Sequence, residues 1–280
     1  MVYKEEINNY IPNNNTIVDV YQVGNILEVK GIERKCSNLS DFKKLNNHQS
    51  INKSTGEIIE HKNNDNCIDD RNMNNSYNEL RRLIINNFSG CCGLHIVLTY
   101  KYEMRDVNQL SIDFKNFWKR FRYKYKGCEY IAVKEPHSNG VWHMHVLIKS
   151  NNQKFLYVDS KKLENIWGNG FVKVERINNA EKLASYLTVL KKNVPEKDIE
   201  VNDNLSKKQK LLKYYPRNVR LFNYSKGIKK PLRKTMTFGT LMRSMGGVIP
   251  EYSKTLSIQY NDGENIYEVN KIHYLKFRRK

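Results

Sequence analysis

EYIAVKE (129–135) and VWHMHVLIK (141–149), joined by PHSNG (136–140), decide how this sequence folds. Both runs are rich in β-branched and aromatic residues, and the Pro, Asn and Gly between them are turn formers. The pair therefore reads as an antiparallel hairpin. Successive strand side chains point to opposite sides, so Trp142, Met144, Val146 and Ile148 share one face and His143 and His145 the other. The first face is apolar and belongs to a core. The second carries two imidazoles with Cα atoms roughly 6–7 Å apart, and neutral imidazole nitrogens suit a divalent metal ion. Glu135 ends the first arm and falls beside the start of the second. A carboxylate there completes a two-histidine, one-carboxylate set that leaves coordination positions open. His137, in the turn, is the rival third ligand. Seven histidines scattered at random through 280 residues would give only about 0.2 His-x-His pairs, yet so short a motif is weak alone. Two surface histidines, and a solvated Glu135 paired with Lys134 or Lys149, remain open readings at this point.

Working outward, LHIVLTY (94–100) and FVKVERI (171–177) read as two more strands. SYNELRRLIINNF (76–88) reads as a helix, with Leu80, Leu83, Ile84 and Phe88 at helical spacing and Ser76 as its cap. Asp106 or Asn108 opens a long helix to about Tyr125, striped by Leu110, Phe114, Phe117 or Trp118, and Phe121. Its other face carries Lys115, Lys119, Arg120, Arg122, Lys124 and Lys126. Asp159 caps a helix that runs through Trp167 and stops at GNG (168–170). AEKLASYLTVLKKN (180–193) is the last helix, with Leu183, Leu187 and Leu190 as its core stripe and Tyr186 at the margin. A packing tyrosine with a wet hydroxyl is the plain reading of Tyr186. The functional one is a nucleophilic phenolate, which needs a nearby cation because a free phenol titrates at about 10.

The order strand, helix, strand, strand, helix, strand, helix predicts an α+β domain of the split βαβ type. That is a four-stranded antiparallel sheet with helices on one face and the other face open to a ligand. RNA-recognition modules share this layout, so the layout does not name the chemistry.

Composition narrows the partners. Lys and Arg number 48 against 29 Asp and Glu, a formal charge of +19, which favours polyanions. No run approaches the ~18 apolar residues of a membrane span, and MVYKEEINNY lacks the apolar core of a signal peptide. A cytoplasmic protein with no membrane partner is expected. Five cysteines, at 36, 67, 91, 92 and 128, form no Cys-x-x-Cys pair, which argues against a disulfide framework or a cysteine-rich zinc module. Residues 1–75 carry loop-like runs, NNN (13–15), NNDN (63–66) and NMNN (72–75), around one weak hairpin, TIVDVYQV (16–23) and NILEVKGI (25–32). They read as a partly ordered N-terminal extension. The domain proper spans 76–200, and 201–280 reads as a basic C-terminal extension that packs on the domain or on DNA. Its stretch Lys207–Lys234 interleaves Tyr214, Tyr215, Phe222 and Tyr224 with Lys and Arg, a composition suited to phosphates and stacked bases.

LHIVLTY (94–100), WHMHVLI (142–148) and EKLASYLTVLKK (181–192), in that order, resemble the three motifs of rolling-circle replication initiators, the HUH endonucleases. IWGNGFVKVERI (166–177) and NVRLFNYSKGIKKP (218–231) extend the likeness toward the group related to filamentous-phage gene II protein, so that it covers roughly 76–235. This resemblance implies an HUH-type fold and a metal-dependent enzyme that nicks one strand at an origin exposed as single-stranded DNA. Tyr186 would attack the scissile phosphate to give a 5′-phosphotyrosine and a free 3′-OH. His143 and His145, with Glu135 as third ligand, would hold Mg²⁺ or Mn²⁺. The reaction would initiate rolling-circle replication of a plasmid or phage, with a host helicase and polymerase as partners. The chain departs from phage relatives in carrying Leu190 where a second Tyr often stands, so it reads as a single-tyrosine enzyme. The assisting lysine is open among Lys182, Lys191 and Lys192. An HUH transposase or relaxase, a degenerate initiator that binds without cutting, and a non-catalytic single-stranded nucleic-acid-binding module are the competing readings.

Overall fold

The computed structural model describes residues 2–7, 11–33, 42–45, 49–52, 55–60, 70–90, 93–152, 155–188, 211–216, 219–261 and 265–279. The chain divides into two compact units, Met1–Asp65 with Pro231–Lys280, and Asn66–Lys230. Following the chain, the first unit begins with β1 (Val2–Ile7), β2 (Ile17–Val23), β3 (Ile26–Ile32), β4 (Phe42–Lys44), β5 (Gln49–Asn52) and β6 (Ile58–Glu60). The second unit holds α1 (Asp70–Phe88), β7 (Leu94–Leu98), α2 (Val107–Lys124), β8 (Cys128–Pro136) and β9 (Trp142–Ser150). It continues with α3 (Ser160–Trp167), β10 (Val172–Arg176), α4 (Ala180–Thr188) and β11 (Phe222–Tyr224). The first unit then resumes with β12 (Leu232–Thr237), α5 (Phe238–Ser244), β13 (Tyr252–Asn261) and β14 (Ile266–Arg278). Among the described residues no helix is long and apolar enough to cross a membrane.

In the first unit the expected hairpin is present: β2 and β3 pair antiparallel and turn at Gly24, whose φ of 60° is the left-handed conformation that glycine adopts without strain. Where the sequence suggested separate N- and C-terminal extensions, strands from both ends of the chain pair in one six-stranded sheet, ordered β1-β13-β14-β3-β2-β12. An isolated two-stranded hairpin is marginal in water. Here β14 pairs with β3, and Leu275 and Phe277 join Val18, Val20, Leu27 and Val29 in a core closed by Phe238 and Leu241 of α5. A separate three-stranded sheet is ordered β4-β5-β6.

The second unit has the expected split βαβ order, with an antiparallel sheet β10-β7-β9-β8-β11. Its class is α+β, as read from the sequence. Its fifth strand comes from FNY (222–224), within the segment read as a basic tail; it pairs with β8 at the edge. Asp106 caps α2 by accepting from the Asn108 and Gln109 amides, and Asp159 caps α3 by accepting from the Lys162 amide. Gly168 ends α3 at φ 74°.

The helices divide between both faces rather than lying on one. Phe114 of α2 packs edge-on against Tyr130, the cross-strand partner of Ile148, so α2 lies on the Met144 face. α3 joins it there through Trp167, whose ring meets Phe117. Arg120, read as part of a basic face, instead donates to the Ile166 and Trp167 carbonyls at the end of α3. α4 and α1 occupy the histidine face, where Tyr186 meets His145 and Asn87 accepts from Lys149. The inward residues of α4 are Ala180, Ala184 and Leu187, not a leucine stripe. Leu183 is half-buried, and Leu190 lies outside the described residues.

Candidate active site

Cross-strand register builds the site. In the β8–β9 ladder Glu135 stands opposite His143 and Val133 opposite His145, so Glu135 is the diagonal neighbour of His145 on one face. The turn between the strands fixes that register: the His137 amide donates to the Val141 carbonyl at 2.8 Å, and the Gly140 amide donates to the His137 carbonyl at 2.9 Å. Gly140 sits at φ 81°, and a Cβ there would also fall 2.8 Å from the Tyr214 ring. The result is a tight donor group. His143 Nε2 lies 3.1 Å from His145 Nε2, and His145 Nε2 lies 3.0 Å from Glu135 Oε2. One ligand atom from each of the three residues falls within 4.8 Å of the others. Octahedral bonds of about 2.1 Å at right angles separate adjacent donors by about 3.0 Å, so the nitrogens and the carboxylate oxygen are spaced for one small divalent ion.

His137 is not in this group. Its ring stacks on the outer side of His143, centroids 4.0 Å apart and planes 17° apart, and the residue is exposed. Lys149, a candidate partner for Glu135, donates to Asn87 at 2.9 Å, whereas Glu135 meets His145.

Tyr186 projects from α4 over the sheet, its ring edge-on to His145 with centroids 6.1 Å apart. The residue is 61% exposed. Partial burial raises its pKa above the ordinary phenol value, and the Glu135 carboxylate raises it further. The Lys173 ammonium acts in the opposite direction. That cation stands on β10; Lys191 and Lys192 lie outside the described residues. The close approach of Gly170 sets this strand, since a Cβ there would lie 2.5 Å from the Thr99 carbonyl oxygen and the Lys101 amide nitrogen.

Residues 94–193 match the family model of the replication-associated proteins typified by ORF2 and the gene II protein. The likeness to that replication-associated family is confined to this segment. No curated protein matches the chain significantly. Among solved structures, the N-terminal nuclease domain of minute virus of mice non-structural protein 1 is similar at 12% identity, over 63% of this chain and 82% of that one, with a TM-score of 0.19. That score is too low to bear on chemistry.

Within the matched segment the structure adds three residues that sequence reasoning did not single out. His95 of β7 is 7% exposed and stacks on His145, with centroids 5.2 Å apart and planes 23° apart. Burial, then the neighbouring His145, lowers its pKa to about 4, so it is neutral near pH 7. Glu175 of β10 lies directly opposite His95 and holds Lys173 Nζ at 2.7 Å. Strand alternation was the available signal, because Lys173 and Glu175 are two residues apart and share a face.

The aromatics of the C-terminal stretch divide. Tyr215 is buried, edge-on to Trp142, and donates to the Lys134 carbonyl at 2.7 Å, which makes it a packing residue rather than a base-stacking one. Phe222 and Tyr224 are half-buried on the edge strand.

Proposed function

We propose that this protein is a metal-dependent nuclease and strand transferase that nicks single-stranded DNA at an origin and so initiates rolling-circle replication of a plasmid or phage. The observation that carries the reading is the convergence of Glu135, His143 and His145 beneath an exposed tyrosine, within a segment that matches a replication-associated family. Tyr186 Oη attacks the scissile phosphorus, and the bond from phosphorus to the 3′-oxygen breaks. The products are a 5′-phosphotyrosine and a strand ending in a 3′-OH, the phenolic proton passing overall to the leaving oxygen. The new ester conserves the phosphodiester energy, so the strand is rejoined by the reverse attack without ATP. Mg²⁺ or Mn²⁺, held by His143, His145 and Glu135, would supply positive charge to the phosphate as charge develops on it. Tyr186 is exposed, which leaves it open to a strand laid over the sheet.

The test is to incubate the full chain with a single-stranded DNA library and Mn²⁺ and to look for a protein–DNA adduct on a denaturing gel. An adduct that forms with Mn²⁺ and not with EDTA supports the proposal, and sequencing the trapped DNA reads the origin. Tight binding that ignores EDTA, with no adduct, would replace it with the binding-module reading.

A pH profile follows from the charges around the nucleophile. Lys173 lowers the Tyr186 pKa, so removing that charge raises it. The rate rises with pH as Tyr186 loses its proton, so Lys173→Met is expected to shift this ascending limb of the adduct-formation rate to higher pH. A limb that stays in place would remove Lys173 from the reaction.

A further inference from the structure

His145 is held from both of its ring nitrogens. Its Nε2 faces Glu135 and His143, while its Nδ1 lies 3.0 Å from Nε2 of His95. The contact is set by register: β7 pairs with β9 so that Val97 stands opposite His145, which leaves His95 diagonal to it on the same face. His95 in turn directs Nδ1 toward Glu175 Oε2 at 3.7 Å, an electrostatic contact rather than a full hydrogen bond. Glu175 is anchored through its other oxygen by Lys173. Both imidazoles are buried, in a sheet face whose neighbouring position is Leu147. A polar ring in such a place is costly unless its nitrogens are satisfied, and packing alone would be served by an aliphatic side chain.

A neutral imidazole carries one proton. If His145 offers the Nε2 lone pair to a cation, its proton is on Nδ1, and Nε2 of His95 must accept it. The His95 proton is then on Nδ1, facing Glu175. In the opposite tautomer a proton occupies His145 Nε2 and blocks the metal position. We propose that His95, oriented by Glu175, is a positioning residue that locks His145 in its Nδ1–H tautomer and keeps Nε2 available to the metal ion. This inference rests on the metal-centre reading above.

Second-layer partners of this kind typically change metal affinity about 10–100-fold. The experiment is calorimetric titration of Mn²⁺ into the full chain, as wild type, His95→Leu, His95→Gln, Glu175→Gln and His143→Ala, with thermal unfolding run on each. His95→Leu is expected to bind Mn²⁺ about 10–100-fold more weakly while remaining folded. His95→Gln, whose amide oxygen accepts the same proton, is expected to recover most of the loss, and Glu175→Gln to lose less than His95→Leu. Histidine nitrogen NMR of the metal-free chain provides the second readout: His145 shows a single Nδ1–H tautomer in wild type and in His95→Gln, and a mixture of tautomers in His95→Leu. Folded His95→Leu that binds Mn²⁺ within twofold of wild type, or keeps that tautomer, overturns the positioning role and leaves the metal centre standing. Wild type that binds no Mn²⁺, or His143→Ala that binds it equally well, overturns the metal centre and this inference together.

Discussion

Tyr186→Phe is expected to form no covalent adduct with single-stranded DNA, a fall of at least about a thousandfold in the rate of strand cleavage, since the nucleophilic atom itself is gone. The substitution is otherwise mild. Tyr186 is 61% exposed, and a substitution at so exposed a position changes stability by about 0.5 kcal/mol or less. Phenylalanine keeps the edge-on contact with His145. Mn²⁺ affinity and the unfolding temperature should therefore match wild type, and the measurement is the adduct gel run beside a calorimetric titration and a thermal melt. Other tyrosines near the sheet are poor substitutes. Tyr77 and Tyr215 are buried, with burial as the first cause raising both phenols, and the Tyr214 hydroxyl donates to the Ser138 carbonyl. An adduct that persists at the wild-type rate would move the nucleophile to a different residue and detach the chemistry from α4.

Much of the second unit was legible because its signals are local. Period-2 alternation placed β8 and β9, turn residues placed the hairpin, and caps at Asp106 and Asp159 placed two helix starts. Glu135 could be set beside the histidines because hairpin register is short-range. What escaped depends on pairings between distant segments. β14 meets β3 across more than two hundred residues, and nothing in either strand names its partner, so both ends of the chain looked like extensions. His95 was hidden for a related reason. In LHIVL it passes for one more core position, and only the order β10-β7-β9 brings it between Glu175 and His145. Lys173 is not legible from the sequence around Tyr186, because it is a strand and not the tyrosine's own helix that carries this charge. The alanines of α4 carry too little apolar signal to outweigh the leucines beside them, yet they are the residues turned inward.

Replacing a metal ligand should rival loss of the nucleophile while differing from it in kind. His143→Ala, assayed with saturating Mn²⁺, is expected to slow adduct formation by at least about a hundredfold, because the phosphate loses part of the charge that stabilises its transition state. It also leaves Glu135 as a carboxylate that raises the Tyr186 pKa without a fully held cation to offset it. His143 is buried and its ring stacks on the exposed His137, so a thermal melt run beside the assay separates loss of the ligand from loss of stability. Raising the Mn²⁺ concentration separates two origins of the loss. Weakened affinity alone would be overcome by more metal, whereas a misplaced ion would leave a deficit at every concentration. Donors as close as 3.0 and 3.1 Å leave little room for the remaining pair to hold the ion in the same position, so a residual deficit is expected. Glu135→Gln keeps an oxygen donor while removing its charge, and should fall between His143→Ala and wild type. Ligands acting through one ion do not contribute independently, so the double substitution should lose far less than the product of the two single effects. Additive losses would mean that His143 and Glu135 serve separate purposes, and would break the single-ion account of this face of the sheet.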